Sequence, residues 1–530
     1  MECFVSGRYE PYPAEEPTMI VEPGEIKHSL WLIPALVFLL LVTMFARTPL
    51  DTDMWWHLRA GEVSWISGSP LLTDIFSYTV YGTTWINHSW LAQVILYLVY
   101  AGAALKGLTT LVALVAAATL ILVYAEMAGP PLFRAFILIL GGLVIAPVLS
   151  PRPQIFSLLM LAALSYVIFL NRYRGRNVYY LIPLIFILWS NLHGGYVLGL
   201  IFLGAWIIGE IFNIGLAATL PGIERRNEVI RARQHAGQLF TWTLIGGVVT
   251  IINPNGVRIW LVPFQTVGVG VLQDFIPEWA SPNFHNLFEQ PFIWMLIACF
   301  IAVSLAKLRL DGPELVTFGI FTYMALLSKR NFGPFAIIAT PILAKYGWEA
   351  ITAYREPLRG AGQSLLNFFH FRNIKARALP DWLRIGINCL LILVLGLIAI
   401  GKVLYVSSPA VVESSQSQIF PVEAVQWMAI HPVAREIFND YNWGGYLIWH
   451  LRDIPVFIDG RTDLYKENIL ADYLTIQGGF ENWHSLLEQY GVNSIFTATG
   501  SPLAEKLQSD PGWVQAYYDN RAVIFLRQLP

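Results

Sequence analysis

The chain has 530 residues, of which 55% are hydrophobic and only 13% are charged. A soluble domain has roughly 25% charged residues, so much of this surface must face a lipid bilayer rather than water. The formal net charge of -2 gives no basis for binding to nucleic acid or to a strongly charged partner. The three cysteines form no CxxC motif and indicate neither a disulfide framework nor a zinc site.

The N-terminal segment, residues 1–28, is polar and lacks the basic, apolar and small-residue order of a cleavable signal peptide. We expect it to be a disordered cytoplasmic tail and the first apolar run to be a retained membrane anchor. The composition then predicts a transmembrane domain over 29–406 and, because apolar runs of bilayer length end near Val406, a water-soluble domain over 407–530.

Apolar runs long enough to cross a bilayer recur along the transmembrane domain, since a span needs about 20 apolar residues. They begin near Leu30, Leu108, Leu132, Gln154, Tyr180, Leu198, Leu239, Phe292, Leu315, Phe335 and Ile385. The sequence therefore predicts a polytopic α-helical membrane protein with about 11 transmembrane helices.

The orientation follows from the basic loops, which prefer the cytoplasm. They are Arg172–Arg176, Glu224–Arg233, Lys307–Arg309 and Arg355–Arg384. All four face the cytoplasm if the short apolar segment Trp90–Ala104 is a helix that lies at the outer interface instead of a span. The N-terminus is then cytoplasmic, and the outer side holds the loops 49–106 and 254–290 together with the C-terminal domain.

The C-terminal domain alternates helices with short apolar strands, which is typical of an α/β fold. The predicted strands are Glu436–Phe438, Val456–Ile458, Ser494–Thr497, Val514–Tyr518 and Ala522–Leu526, and the predicted helices are Val422–Ala429, Gly445–Leu451, Leu464–Tyr490 and Pro502–Gln508. The domain contains neither GxGxxG nor a Walker loop, so no motif indicates nucleotide binding.

The first outer loop begins with Asp51-Thr52-Asp53 and continues as a Trp-Trp-His-Leu-Arg sequence. Ionisable groups at a membrane surface are candidates for function. In an extended stretch the two aspartates point the same way and could present their carboxylates to one substrate or one metal ion. The alternative is structural: Asp53 caps a helix whose inner face includes Trp55 and Leu58, and Asp51 is solvated.

The carboxylate motif after the first span, the long outer loop, the interfacial helix and the number of about 11 spans resemble the GT-C superfamily of membrane glycosyltransferases. More closely, the chain resembles a group of bacterial GT-C-like membrane proteins that usually have no assigned substrate; this likeness is carried by the motifs DxDxWWHLRxGE, TDxFSYT, WxxHSWL, NDYNWGGYLIW and FIDGRTDLY. The resemblance covers most of the chain from Asp51 onward. It extends to protein O-mannosyltransferases, the bacterial aminoarabinose transferase and the catalytic subunit of oligosaccharyltransferase. Those mannosyltransferases typically have an adjacent Asp-Glu pair where this chain has two aspartates separated by Thr52.

This resemblance implies a sugar donor on a polyprenyl phosphate, an acceptor at the outer face and inversion at the anomeric carbon. Asp53 would be the general base. Asp51 would be its partner or, with Asp53, a ligand of a divalent cation such as Mg²⁺ or Mn²⁺. The acceptor would be a glycan, a lipid or a protein in the cell envelope, and the site would lie on the outer side of a multi-pass protein of a bacterial inner (plasma) membrane.

A leaving phosphate requires cationic groups and hydrogen-bond donors at the outer face. The candidates are Arg59, Arg152, Lys329 and Arg330. His57 and His88 could hydrogen-bond the substrate or orient an aspartate, and His57 is the stronger catalytic candidate because it lies about one helical turn from Asp53. His193, at a predicted outer turn, is a further candidate for substrate binding, and Arg461 lies in a loop of the C-terminal domain that could hold the acceptor or the sugar. Lys329 and Arg330 break the positive-inside preference, although terminal basic residues often only extend to lipid headgroups. A structural role is the alternative for His193, and a neighbouring carboxylate is the alternative partner for Arg461.

Two acidic residues of the second outer loop, Asp274 and Glu278, are predicted to be solvated loop charges. Two other functions also fit the sequence: a transporter or flippase of lipid-linked glycan, and a non-catalytic membrane scaffold. A transporter should place ionisable groups near mid-membrane in repeated halves. The charges here lie at the outer ends of the spans and the halves show no symmetry, which favours the transferase.

Overall fold

The computed structural model describes residues 32–217, 222–267, 276–308, 311–355 and 380–528. The predicted tail 1–28, Asp274 and most of the basic loop Arg355–Arg384 lie outside these ranges. The helices as far as the last apolar run are α1 Leu32–Phe45, α2 Met54–Ser67, α3 Trp90–Glu126, α4 Pro131–Ile145, α5 Gln154–Arg174, α6 Leu181–Leu192, α7 Tyr196–Leu216, α8 Gly222–Val249, α9 Val262–Val267, α10 Gln290–Leu305, α11 Gly312–Leu327, α12 Phe332–Ala353 and α13 Asp381–Val406.

A helix covers every predicted apolar run. Within the described residues, five helical segments are long and apolar enough to cross a membrane: Trp90–Glu126, Pro131–Val148, Gln154–Arg174, Tyr196–Leu216 and Trp382–Val406. Four shorter apolar helices are α1, α6, α10 and α11. The structure therefore confirms a helical membrane protein, while the number of about 11 spans stays a prediction.

The segment Trp90–Ala104 is a helix of its own, as predicted. Helical hydrogen bonds continue along α3, but Ala104 has φ 50° and ψ -148°, which is not helical backbone. Residues with a side chain rarely adopt such a positive φ, so α3 consists of two helices that meet at a kink. The position of the first of them at the outer interface stays a prediction.

The end of the bundle opposite the aspartates is held by an ionic network. Arg172 of α5 pairs with Glu210 of α7 and, at 2.9 Å, with Asp311 just before α11. Lys345 of α12 pairs with Glu314 of α11 at 2.8 Å. These groups are largely buried, so removing one partner would leave a charge uncompensated. The network thus fixes α5, α7, α11 and α12 relative to one another.

The C-terminal region has the predicted α/β character. Its helices are α14 Pro409–Gln416, α15 Val422–Ile430, α16 Tyr441–His450, α17 Thr462–Gln477, α18 Trp483–Gln489 and α19 Pro502–Gln508, and its strands are β1 Ile437–Asn439, β2 Ser494–Ala498, β3 Trp513–Tyr518 and β4 Ala522–Arg527. The sheet order is β1-β2-β4-β3; β1 and β2 are parallel, and the other pairs are antiparallel.

The predicted strand Val456–Ile458 differs from the others, because it pairs through isolated bridges. Val456 bridges Ile437 of β1 on one side. On its other side, Tyr78 N donates to Val456 O (3.1 Å) and Val456 N donates to Phe76 O (3.0 Å). The first outer loop thus continues the edge of the C-terminal sheet through backbone hydrogen bonds.

An apolar cluster also joins the first outer loop to the C-terminal region. Met54, Trp55 and Leu58 of α2 are buried together with Tyr446 and Leu447 of α16. The rings of Trp55 and Tyr446 meet edge to face at 5.5 Å between centroids. Burial of large apolar side chains holds α2 and α16 together, and this contact places the C-terminal region beside the aspartates.

Candidate active site

The two aspartates of the first outer loop lie immediately before α2. Asp53 occupies the position of a helix cap, but its side chain makes no capping hydrogen bond. Its Oδ1 accepts from the indole Nε1 of Trp56 at 3.2 Å, and its backbone N–H donates to Asp51 Oδ1 at 2.9 Å. The structural alternative, in which the Asp53 side chain caps the helix, is therefore wrong.

A single guanidinium lies among three carboxylates. Arg152, in the loop between α4 and α5, places Nε 3.0 Å from Asp51 Oδ2, Nη1 2.8 Å from Asp53 Oδ2 and Nη2 2.6 Å from Glu278 Oε2. We call this group the carboxylate cluster. Arg152 was predicted to bind a phosphate, but in this structure its donors are directed at the carboxylates. Glu278 was predicted to be a solvated loop charge; its side chain is 37% exposed, but the fold brings its carboxylate against Arg152.

Burial and neighbouring charges set the pKa values in this cluster. Burial raises the pKa of Asp53 to about 6; Arg152 opposes the rise, and Asp51 and Glu278 add to it. Burial also acts to raise the pKa of Glu278, but Arg152 outweighs it and the pKa lies below its usual value. Of Asp53 and Glu278, Asp53 is therefore the carboxylate that can take up a proton near neutral pH.

A cationic turn borders the cluster at Lys329–Asn331, between α11 and α12. Backbone hydrogen bonds join it to the second outer loop: Lys329 N donates to Ala280 O, and Arg330 N donates to Glu278 O, each at 3.1 Å. Lys329 pairs with Glu289 at 3.4 Å. The Arg330 guanidinium stacks over Trp279 at 4.2 Å from the ring centroid.

Arg330 is the cation of this turn that remains open to a ligand. Within the described ranges no carboxylate forms an ion pair with its side chain. Burial lowers the pKa of Arg330, while Glu278 acts to raise it. An arginine held partly out of water with no ion-pair partner in the described part of the chain favours the binding of an anion.

A cavity of about 310 Å³ connects the carboxylate cluster with the cationic turn. Its lining includes Asp51, Arg152, Glu278, Lys329 and Arg330. The four loops that supply these side chains are far apart in the sequence and meet at one end of the helix bundle. The lining of this cavity therefore combines acidic and basic side chains.

His88 and His193, two of the three predicted histidines, lie near this end of the bundle. The Nδ1 atom of each ring accepts a hydrogen bond from a backbone N–H. Gly194 N donates to His88 Nδ1 at 3.1 Å, and Gly195 N donates to His193 Nδ1 at 3.1 Å. A ring nitrogen that accepts from a backbone N–H is unprotonated, so the neutral ring has its proton on Nε2. Burial lowers the pKa of both His88 and His193, which keeps the rings neutral.

The third histidine, His57, is buried, and its backbone N–H donates to Asp53 O at 3.2 Å in the first turn of α2. Its ring packs on Trp56 with centroids 3.5 Å apart, and Trp56 in turn donates to Asp53. Burial, with Arg152 second, holds the pKa of His57 well below its usual value. The imidazole ring of His57 is thus connected to the Asp53 carboxylate through the indole of Trp56.

Two predicted cations lie apart from the cavity. Arg59 pairs with Glu62 at 2.6 Å on α2. Arg461 is fully buried and pairs with Asp74 at 2.5 Å and Asp459 at 2.6 Å. The structure thus shows the alternative interpretation of Arg461, in which a neighbouring carboxylate is its partner. The full burial of the Arg461 side chain leaves no room for a substrate.

Two glycines of the C-terminal motifs lie directly on the first outer loop. A Cβ at Gly460 would lie 1.8 Å from Asp53 Oδ1, and a Cβ at Gly445 would lie 2.6 Å from the backbone oxygen of Thr52. The backbone approaches this closely only because neither residue has a side chain. The sequence contains no signal that Gly460 reaches Asp53, because the two residues are about four hundred positions apart.

The predicted divalent cation at Asp51 and Asp53 does not fit this arrangement. Among the described residues no group of three or more His, Cys, Asp or Glu side chains is placed to hold a metal ion. The oxygen donors that Mg²⁺ or Mn²⁺ prefers are present, but each carboxylate faces a different nitrogen of Arg152. The cation that the structure shows at this point is the guanidinium.

No protein-family model and no curated protein sequence matches the chain. Solved structures do match. The apo form of the Archaeoglobus fulgidus oligosaccharyltransferase aligns with a TM-score of 0.52 at 13% identity, over 89% of this chain and 70% of that chain. The Archaeoglobus fulgidus enzyme AglB in complex with an inhibitory peptide and a dolichol-phosphate aligns with a TM-score of 0.50 at 12% identity, over 88% and 69%.

This chain has a GT-C-like fold. The resemblance seen in the motifs is thereby confirmed for the architecture. ArnT from Cupriavidus metallidurans, bound to undecaprenyl phosphate, also matches, with a TM-score of 0.44 at 11% identity over 94% of this chain and 98% of that chain. Because a GT-C-like fold does not by itself specify a reaction, the function has to be argued from the site.

Proposed function

We propose that the chain is a membrane glycosyltransferase that moves a sugar from a polyprenyl-phosphate carrier to an acceptor at the outer face. One observation supports this most: Asp53, a carboxylate whose pKa is near 6, shares Arg152 with two carboxylates lining a cavity that also holds the cation Arg330. Such a transfer requires a base and an anion-binding group close to each other, and Arg152 of the cavity lining joins Asp53 to this space.

The base in this proposal is Asp53. It accepts the proton of the acceptor hydroxyl while that oxygen forms a bond to the anomeric carbon of the sugar. The bond between the anomeric carbon and the phosphate oxygen breaks, and the electron pair leaves with the polyprenyl phosphate. A single displacement of this kind inverts the configuration at the anomeric carbon, as the resemblance implied.

The leaving phosphate is bound by the cationic turn. Arg330 supplies the main positive charge, because Lys329 is already paired with Glu289. His88 and His193, whose neutral rings have their protons on Nε2, add hydrogen-bond donors at the same end of the bundle. The dolichol-phosphate in the AglB complex supports a lipid phosphate as the ligand.

The membrane arrangement forms part of the proposal. Residues 29–406 would be the membrane domain, and residues 407–530 an extracytoplasmic domain that packs on the first outer loop. The protein would lie in a bacterial inner membrane with its N-terminus in the cytoplasm. The acceptor would be a glycan, a lipid or a protein that reaches the cavity from outside.

The proposal is tested with the full chain purified in detergent and a panel of radiolabelled polyprenyl-phosphate hexoses. Release of free polyprenyl phosphate is followed with time. We expect at least one carrier to be consumed by the wild type. Binding of a carrier without its consumption would reject the transferase and favour the transporter or the scaffold.

Removing the charge of Arg330 should weaken donor binding. We expect Arg330→Gln to raise the KM for the carrier by about tenfold or more, because a hydrogen bond to a charged group contributes about 1.5–3 kcal/mol. Lys329→Gln is the matched control and should have a smaller effect, since Glu289 already engages that lysine. The measurement is the release rate against carrier concentration. Equal KM values for both variants and the wild type would remove Arg330 from the site.

Adding one methyl group at Gly460 should disturb the base. We expect Gly460→Ala to lower the transfer rate by about tenfold to a hundredfold, because its Cβ would overlap Asp53 Oδ1 and must displace it. Gly478→Ala is the control: the three atoms nearest to its Cβ would all belong to the side chain of Phe480, which is exposed and not part of the site. The rates of the two variants are compared at saturating carrier. A normal rate for Gly460→Ala would show that this contact does not position Asp53.

A further inference from the structure

The three-way contact of Arg152 is unusual for a cation in a phosphate-handling site. Its side chain is only 13% exposed, and its three nitrogens each face a different carboxylate. Its Nε also lies 3.1 Å from Ser150 Oγ. Nearly all of its hydrogen-bond capacity is therefore used inside the protein, which leaves little for a substrate phosphate.

The geometry of the carboxylates follows the shape of the guanidinium. A divalent ion needs its oxygen ligands to converge on one point at about 2.0–2.6 Å. Asp51, Asp53 and Glu278 instead surround a flat group and meet it at 2.6–3.0 Å from separate nitrogens. A metal ion could use all three oxygens only if Arg152 left its place.

We infer that Arg152 is the resident cation of the carboxylate cluster and takes the place that a divalent metal ion would otherwise fill. The charge of Arg152 holds the three acidic side chains together. Its guanidinium contacts one carboxylate oxygen of Asp53 and the Trp56 indole donates to the other, so both orient this side chain. Arg152 is thus a positioning residue, and binding of the phosphate is left to the cationic turn. The inference concerns the same site as the proposed transfer, but its test requires no substrate.

The test is Mn²⁺ binding to the full chain in detergent, followed by the loss of the electron paramagnetic resonance signal of free Mn²⁺. The variants are Arg152→Ala, which opens space among the carboxylates, and Arg152→Gln, which removes the charge but keeps much of the volume. Arg330→Ala is the matched control, since it removes a cation outside the cluster. The double variant Arg152→Ala with Glu278→Gln removes one oxygen ligand from the opened site.

We expect the wild type and Arg330→Ala to show only weak background binding. Arg152→Ala should bind one Mn²⁺ at least tenfold more tightly than the wild type, and the double variant should lose that gain. Mn²⁺ should also raise the melting temperature of Arg152→Ala and leave that of the wild type unchanged.

Two results would overturn the inference. One is a wild type that binds one Mn²⁺ and loses it on Asp51→Asn, because the cluster would then be a metal site despite Arg152. The other is a folded Arg152→Ala or Arg152→Gln that gains no Mn²⁺ binding, because the three carboxylates would then not form a cation site. If Arg152→Ala does not fold, the wild type and Arg152→Gln decide the question. None of these results depends on transfer activity, so a failure here is distinct from a failure of the proposed function.

Discussion

Replacing Asp53 by Asn is expected to lower the rate of sugar transfer by about a hundredfold to ten-thousandfold, the usual contribution of a general base. Asn has nearly the same shape, so it can still accept from Trp56 Nε1. It cannot take a proton from an acceptor hydroxyl. Release of polyprenyl phosphate by the purified variant, compared with the wild type at saturating carrier, measures the loss.

The wild-type rate should also depend on pH through the same group. Burial raises the pKa of Asp53 from 3.8 to about 6, so the basic form is populated above pH 6 and lost below it. The rate should therefore be nearly constant above about pH 7 and fall by about tenfold for each unit below about pH 6. This acid limb should be absent from the residual rate of Asp53→Asn.

Asp51→Asn provides the control for this assignment. Asp51 contacts the same Arg152 but lies on the other side of the guanidinium, so its loss should reduce the rate less than that of Asp53 and leave the acid limb in place. If Asp53→Asn works at the wild-type rate, Asp53 is not the base. If Asp51→Asn instead abolishes both the rate and the acid limb, the roles of the two aspartates are reversed.

Replacing Arg461 by Met should open the contact between the first outer loop and the C-terminal region. Arg461 is fully buried and is paired with Asp74 of the loop and Asp459 of the C-terminal region. Without it two buried carboxylates face each other, and breaking a buried ion pair destabilises a protein by about 3–5 kcal/mol. Proteolytic cleavage of the opened C-terminal region should become at least about a hundredfold faster.

A triple variant tests whether charge is the cause. Asp74→Asn and Asp459→Asn, added to Arg461→Met, remove the two unpaired charges and should restore much of the protection, since buried ion triads can often be replaced by neutral groups. Cleavage of Arg461→Met at the wild-type rate would show that the apolar cluster of α2 and α16 alone holds the two parts together. Equal cleavage of the single and triple variants would point to lost packing instead of lost charge.

Much of the fold could be predicted because it depends on local pattern. Apolar runs of bilayer length mark the helices, and an alternation of helices and short strands marks the α/β region, so the bounds of α15, α19 and β4 agree with prediction within a residue. The prediction for Val456–Ile458 was less accurate. This segment pairs with residues 76–78 of a loop nearly four hundred residues earlier, and no local pattern indicates such a partner.

The candidate site likewise has features that the sequence predicts and features that it does not. The sequence by itself determined that the chain enters the bilayer and that Asp51 and Asp53 stand at the end of the first apolar run. It also showed that Lys329 and Arg330 are cations at a predicted outer turn, where the positive-inside preference disfavours them. These properties follow from composition and spacing, because hydrophobicity and charge act at each position independently of the partners.

Only the tertiary structure decided the partners. It directed Arg152 toward three carboxylates, brought Glu278 against Arg152, set Gly460 against Asp53 and buried Arg461 away from any ligand. The physical reason is that a charged side chain pairs with whatever opposite charge the fold brings within about 4 Å, and this distance depends on the packing of loops that are remote in sequence.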